Sequence, residues 1–218
     1  MGLGKLVDLE FEAVIFDMDG TLIDSTPAVE RAWTTWAGEH GLTRADLAGN
    51  HGVPSAGVVR KVLPAELHDS AIARINVLEL EDVAGIVVLP GAAEALAALR
   101  SAKNAIATSC TVPLAQARIA AAALVPPSVL VTADDVARGK PAPDPFLEAA
   151  HRLGADPTRC LVVEDAPAGL QSAKAAGCFT LAVVTTTPEQ DLDADAVVPN
   201  LASVQFEVTE TGIRVRPA

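Results

Sequence analysis

Five short apolar runs recur along this chain, with helix-patterned stretches between several of them. That alternation limits the fold more than any other feature. The runs are FEAVIFD (11–17), NAIATSC (104–110), SVLVTAD (128–134), CLVVEDA (160–166) and FTLAVVT (179–185). They lack the polar alternation of a half-exposed strand, so each reads as a strand covered on both faces. Helical spacing occupies 91–102, 112–123, 143–153 and 167–176. Strand and helix in alternation predict an α/β protein with a Rossmann-like, doubly wound parallel sheet.

Residues 27–83 break the rhythm. PAVERAWTTWAGEHG, SAGVVRKVLP and AELHDSAIARINVLELEDV read as helices with few strand signals. Thr26 followed by Pro27 suits an N-cap and a first helical position. The spacing predicts a small α-helical domain over 25–87, inserted into a core made of 1–24 and 88–218. The tail VQFEVTETGIRV predicts a peripheral hairpin turning at Thr211-Gly212. No internal repeat is evident.

Of the 218 residues half are hydrophobic but only 3% aromatic, so Ala, Val and Leu must fill the core. A net charge of −12 argues against nucleic-acid or anionic-membrane partners, which favour clustered Lys and Arg. A local cation can still reverse the field inside a cleft and admit an anionic small molecule. Cys110, Cys160 and Cys178 are odd in number and lack zinc spacing, which predicts reduced thiols and a cytoplasmic setting. The first residues show no secretory pattern, and the alanine-rich stretches are too short or too interrupted to span a bilayer.

Ligands of open α/β sheets bind at the carboxyl ends of the strands. Those ends carry Asp17, Asp19, Ser109, Glu164 and Asp165. Converging carboxylates call for a hard divalent cation, and Mg²⁺ prefers oxygen ligands. Such an ion would also screen a bound phosphate from the carboxylates. In RGKPAPDPF (138–146), prolines stiffen the chain after Lys140, which places a fixed ammonium rather than a floppy one. Ser109 and the N–H groups after it could grip phosphate oxygens or cap the next helix.

Taken in order, DMDGT, ATSCT, GKPAPD and VVEDAPAG resemble the motifs of the haloacid dehalogenase-like superfamily, on its phosphatase branch. The resemblance implies a Mg²⁺-dependent phosphatase acting on a small phosphorylated sugar or polyol through an aspartyl-phosphate. Asp17 would be the nucleophile, and Asp19 would protonate the leaving oxygen and then activate water. Lys140 would steady Asp17 and the phosphoryl group. Ser109, with Gly20 and Thr21 through backbone N–H groups, would bind it, beside a packing Cys110. Mg²⁺ would be held by Asp17, the Asp19 carbonyl and Asp165, with Glu164 as an acid just behind them or a ligand through water. An acid–base Asp at position 19 argues against dehalogenation. The resemblance also implies a monomer with a cap that closes over the substrate.

Two departures bear on the substrate. Many relatives carry Gly or Ala where Cys110 stands. The segment HGVPS (51–55) resembles a cap segment that carries Arg where Pro54 stands. His51, Arg60 and Lys61 are the candidate replacements for that cation; the competing reading is an exposed helix face for Arg60 and Lys61 and a loop hydrogen bond for His51. The alternative activity is that of a β-phosphoglucomutase-like phosphomutase. Thr21 and the missing Arg favour hydrolysis over it. Trp33 and Trp36 are expected to pack the helical segment. His40, His68 and His151 lack metal spacing.

Overall fold

A computed structural model describes residues 2–48 and 53–218. The elements in chain order are β1 (Ala13–Phe16), β2 (Ile23–Asp24), α1 (Thr26–Glu39), α2 (Ser55–Val62), α3 (His68–Glu81), β3 (Val87–Val88), α4 (Ala92–Ala98), β4 (Asn104–Ala107), α5 (Val112–Ala121), β5 (Val129–Val131), α6 (Asp144–Leu153), β6 (Cys160–Glu164), α7 (Pro167–Ala175), β7 (Phe179–Val183), β8 (Ala196–Val198), β9 (Val204–Val208) and β10 (Ile213–Pro217).

Six strands form one parallel sheet in the order β5-β4-β1-β6-β7-β8. The chain begins in the middle, runs outward through β4 and β5, then crosses back past β1 to build the other half. That reversal opens a crevice at the carboxyl ends of β4, β1 and β6.

Why these runs lack polar alternation is visible in β1. Val14 and Phe16 join one apolar layer with Ile106, Leu161 and Val163. Ala13 and Ile15 join the opposite layer with Ala105, Ala107 and Val162. The small residues of this second layer let α6 lie close, and Phe146 fills the remaining space with no exposure. Burying such a side chain contributes about 1.5–3 kcal/mol.

Helices α1, α2 and α3 pack around Trp36, Val59, Ala71 and Ile75. The Trp36 indole donates to the Ala71 carbonyl at 2.9 Å, so its one polar atom is satisfied. Where the chain leaves and re-enters the sheet region, β2 and β3 pair antiparallel. These two-residue strands, like β8, are too short to announce themselves in sequence. The N-cap of α1 falls on Ser25 rather than Thr26, and Asp24 accepts the Thr26 N–H at 3.0 Å.

The tail forms the expected hairpin, β9 with β10, but it is not peripheral. Phe206, Ile213 and Val215 are buried in the larger apolar layer, and Phe206 meets Phe16 edge to face at 5.8 Å. The alternation in VQFEV and IRVRP puts one face of the hairpin against the sheet's covering layer. All three cysteines are free thiols. Among the described residues, no helix is long and apolar enough to cross a membrane.

Candidate active site

Asp17 leaves β1 with its N–H on the Val163 carbonyl at 2.9 Å, which fixes it beside the end of β6. The Lys140 ammonium donates to Asp17 Oδ1 at 2.5 Å and to Glu164 Oε1 at 2.7 Å. Glu164 Oε2 accepts the N–H groups of Asp165 and Ala166, each at 2.8 Å. Glu164 therefore has donors on both oxygens and braces Lys140. A Cβ at Gly169 would lie 1.6 Å from Glu164 Oε1, so only glycine lets α7 start this close.

Asp165 accepts the Thr21 hydroxyl at 3.2 Å and also the Thr186 hydroxyl. Gly20, at φ +87, turns the chain where a Cβ would meet Asp165 Oδ2 at 2.3 Å.

Burial pushes the Asp17 carboxyl up to about 7; Lys140 opposes this, and Glu164 adds to it. Burial, then Glu164 and Asp17, raise Asp165 well above the usual carboxylate range. Burial alone would lower the Lys140 ammonium, but Asp17 and Glu164 outweigh it and hold it above its ordinary value. One cation among three buried carboxylates leaves uncompensated negative charge. Oxygen atoms of Asp17, Glu164 and Asp165 lie within 4.8 Å of one another, and all three residues are buried. This all-oxygen donor set fits a hard divalent cation.

A cavity of about 540 Å³ opens above this floor. Asp17, Asp19, Ser109 and Asp165 line its base, while Trp33, Ser55, Asn76 and Glu79 line the wall formed by the helical segment. Lys140 lies behind Asp17, outside the lining. Asp19 takes two donors on Oδ1, the Ser25 hydroxyl at 2.6 Å and Arg118 Nη1 at 2.9 Å. Its Oδ2 faces the Cys110 thiol at 3.1 Å. Arg118 Nη2 reaches across to Glu79 Oε1 at 3.1 Å. Burial raises the Glu79 carboxyl against the pull of Arg118. Burial would lower the Arg118 guanidinium, but Asp19, Cys110 and Glu79 hold it above its ordinary value.

The strand-end residues Asp17, Asp19, Ser109, Glu164 and Asp165 thus come together with Lys140. Other expectations change. The Gly20 N–H is taken by the Ile23 carbonyl at 2.8 Å and that of Thr21 by Met18 at 3.3 Å, so this turn consumes the amides expected to face phosphate. Thr21 acts instead through its hydroxyl on Asp165. Cys110 does more than pack, since its sulfur bridges Asp19 and Arg118. Burial, then Asp19, push its thiol well up, which makes it a poor nucleophile.

Arg60 and Lys61 are exposed on the last turn of α2 and do not line the cavity. The amphipathic α2 turns Val58 and Val59 inward, which sends the next two residues out. His51 lies outside the described residues. Pro54 packs toward Gly139, where a Cβ would meet its ring at 2.6 Å. Trp36 and Trp33 both pack in the helical segment as expected, and Trp33, edge-on to Trp36, also lines the cavity.

Sequence reasoning missed Arg118, Glu79 and Thr186. For Arg118 a signal existed. It shares the buried face of α5 with Leu114, Ala115 and Ile119, and a charge on an apolar helix face requires a partner.

The model of the haloacid dehalogenase-like hydrolase family matches residues 11–177. The chain is 46% identical over 175 residues to hexitol phosphatase A of Escherichia coli, covering 78% of this chain and 81% of that protein. It is 32% identical over 225 residues to glycerol-1-phosphate phosphohydrolase 2 of Saccharomyces cerevisiae, covering 94% and 89%. A crystal structure of a hydrolase from Pseudomonas syringae superposes with a TM-score of 0.81 at 27% identity, covering 88% and 94%. With the acidic floor at the strand ends and the helical segment above it, this chain belongs to the haloacid dehalogenase-like hydrolases.

Proposed function

We propose that the protein is a Mg²⁺-dependent phosphatase for a small sugar or polyol phosphate, working through an aspartyl-phosphate on Asp17. The observation that carries this reading is the pairing of two unlike carboxylates at the cavity base. Asp17 is clamped by Lys140 and faces the acidic cluster. Asp19 stands apart from that cluster, on donors from Ser25 and Arg118. A nucleophile needs a fixed approach, and a proton carrier needs one oxygen kept for the proton.

Asp17 and Asp165 side chains, with the Asp19 carbonyl, would hold the ion, while Glu164 orients Lys140 and the β6 loop. The ion would supply charge neutralisation for phosphoryl oxygens. Asp17 attacks phosphorus and the bond to the leaving oxygen breaks. Asp19 gives that oxygen a proton and later takes one from the water that cleaves the aspartyl-phosphate. Ser109 binds the phosphoryl group at the end of β4.

The wall supports a neutral, hydroxylated leaving group. It offers Ser55, Asn76, Glu79 and Trp33 as hydrogen-bonding or stacking surface. Among the described lining residues Arg118 is the one basic side chain, and it is already bound to Asp19 and Glu79. Among the described residues a second phosphate would therefore meet carboxylates with no uncommitted cation, which disfavours a phosphomutase. Both proposals are checked by one panel of sugar, polyol and short-acid phosphates with Mg²⁺. Phosphate release from polyol or sugar monophosphates is expected. No release from any member, or conversion of a hexose 1-phosphate to its 6-phosphate without release, would sink the phosphatase reading.

A further inference from the structure

Arg118 is 4% exposed and Glu79 is 6% exposed, and they join α5 of the sheet region to α3 of the helical segment. Two other ion pairs involving this segment, Arg31 with Asp82 and Arg74 with Glu39, are more exposed and do not reach the sheet region. Burying a guanidinium is costly, and here its Nε has no hydrogen-bond partner. The arrangement is thus not the one that best stabilises the fold. It does fix one group of chemical interest, Asp19.

Both strong donors to Asp19 fall on Oδ1, from Ser25 at 2.6 Å and Arg118 Nη1 at 2.9 Å. Among the described residues Oδ2 meets only a thiol, a weak donor, at 3.1 Å. We propose that Arg118 is the positioning residue that locks Asp19 so that Oδ2 carries the transferred proton, and that Glu79 makes this lock depend on the helical segment being seated. The proposal rests on the phosphatase reading above. In the first step an Asp17 oxygen forms a bond to phosphorus. The bond from phosphorus to the leaving oxygen breaks with its electron pair, and the proton on Asp19 Oδ2 passes to that oxygen. In the second step water attacks phosphorus, its proton returns to Oδ2, and the bond from Asp17 to phosphorus breaks. Throughout, Oδ1 stays on Arg118.

The test uses two substrates on the full chain with Mg²⁺. A hexitol phosphate has a poor leaving group that needs the proton; p-nitrophenyl phosphate has a leaving group that departs without one. Arg118→Lys keeps the charge but cannot span both carboxylates. It should lower kcat/KM for the hexitol phosphate about 100-fold and for p-nitrophenyl phosphate only a few-fold, on the scale of lost general-acid catalysis. Glu79→Gln, which is close in shape, should shift the ratio of kcat values at saturating substrate the same way by about 10-fold, whereas a lost contact between Glu79 and the leaving group would appear in KM alone. The double variant should show less than the product of the two effects. Equal losses on the two substrates in both variants would make Arg118 merely structural. An unchanged ratio in Glu79→Gln alone would remove the dependence on the helical segment. A native protein inactive on both substrates and on the whole phosphate panel above would instead overturn the phosphatase reading.

Discussion

Lys140 and Arg118 are both buried cations gripped by two carboxylates, yet they are assembled from different parts of the chain. Lys140 is held by Asp17 and Glu164, at the ends of the adjacent strands β1 and β6. A glycine at the start of α7 and two loop amides fix the Glu164 end. Arg118 is held by Asp19 on the sheet side and Glu79 on the helical side. On the proposed roles, the nucleophile would be set by one packed layer and the proton carrier by two. Such a division would let the phosphoryl chemistry stay constant while the helical wall changes with the leaving group, and would make proton transfer sensitive to how that wall is seated.

The strongest way to break this comparison is to remove each carboxylate's function in turn. Asp17→Asn should lower phosphate release at least about 1,000-fold on every substrate, because the amide oxygen that remains is uncharged and a poor nucleophile. Asp19→Asn should cost about as much on a hexitol phosphate but clearly less in kcat/KM on p-nitrophenyl phosphate. Steady-state kinetics with both substrates checks this. If the two variants lose activity in the same pattern, the two carboxylates do not have separate roles.

A smaller effect separates the acidic floor from the wall through the metal. The Asp17 carboxyl titrates at about 7 against an ordinary value of 3.8, with burial as the leading cause. The folded chain thus binds this proton more tightly than the unfolded chain. The stability it contributes is present below about pH 4 and is lost as pH rises through about 7. Mg²⁺ needs the ionised form, so its stabilising effect should grow over the same window. With Mg²⁺ at about 100 times its dissociation constant, linkage gives about 2.7 kcal/mol. The rise in melting temperature on adding Mg²⁺ should be larger at pH 8 than at pH 5.5, and Asp165→Asn should remove most of it. Equal shifts at the two pH values would place the ion elsewhere.

The two regions also differ in how far they could be read from sequence. The floor is legible because each of its parts is a short contiguous motif at a strand end, as in DMDGT, GKPAPD and VVEDA. Backbone geometry alone brings those ends together once the sheet forms. The wall is not legible in that way. Arg118 meets Glu79 across 39 residues and Asp19 across 99, and each sits in a helix or loop whose local pattern serves another purpose. Trp33 shares helical spacing with the packing residue Trp36, yet it ends at the cavity. The tail was misread for a related reason. Alternation in its strands marked a covered face, but not which layer covers it.

Arg60 and Lys61 supply the smallest and most discriminating check. The basic pair in SAGVVRKV reads from sequence either as a substrate contact from the helical segment or as an exposed helix face. The structure turns both to the exposed side of α2, while Val58 and Val59 face inward. Screened surface charges at such positions contribute little to events inside a cavity. Arg60→Ala and Lys61→Ala should each change KM for a polyol phosphate by less than about twofold, with an equally small salt dependence. A tenfold rise in KM would mean that α2 presents its other face to the substrate, and the wall would then be a basic surface rather than one built on Glu79, Asn76 and Trp33.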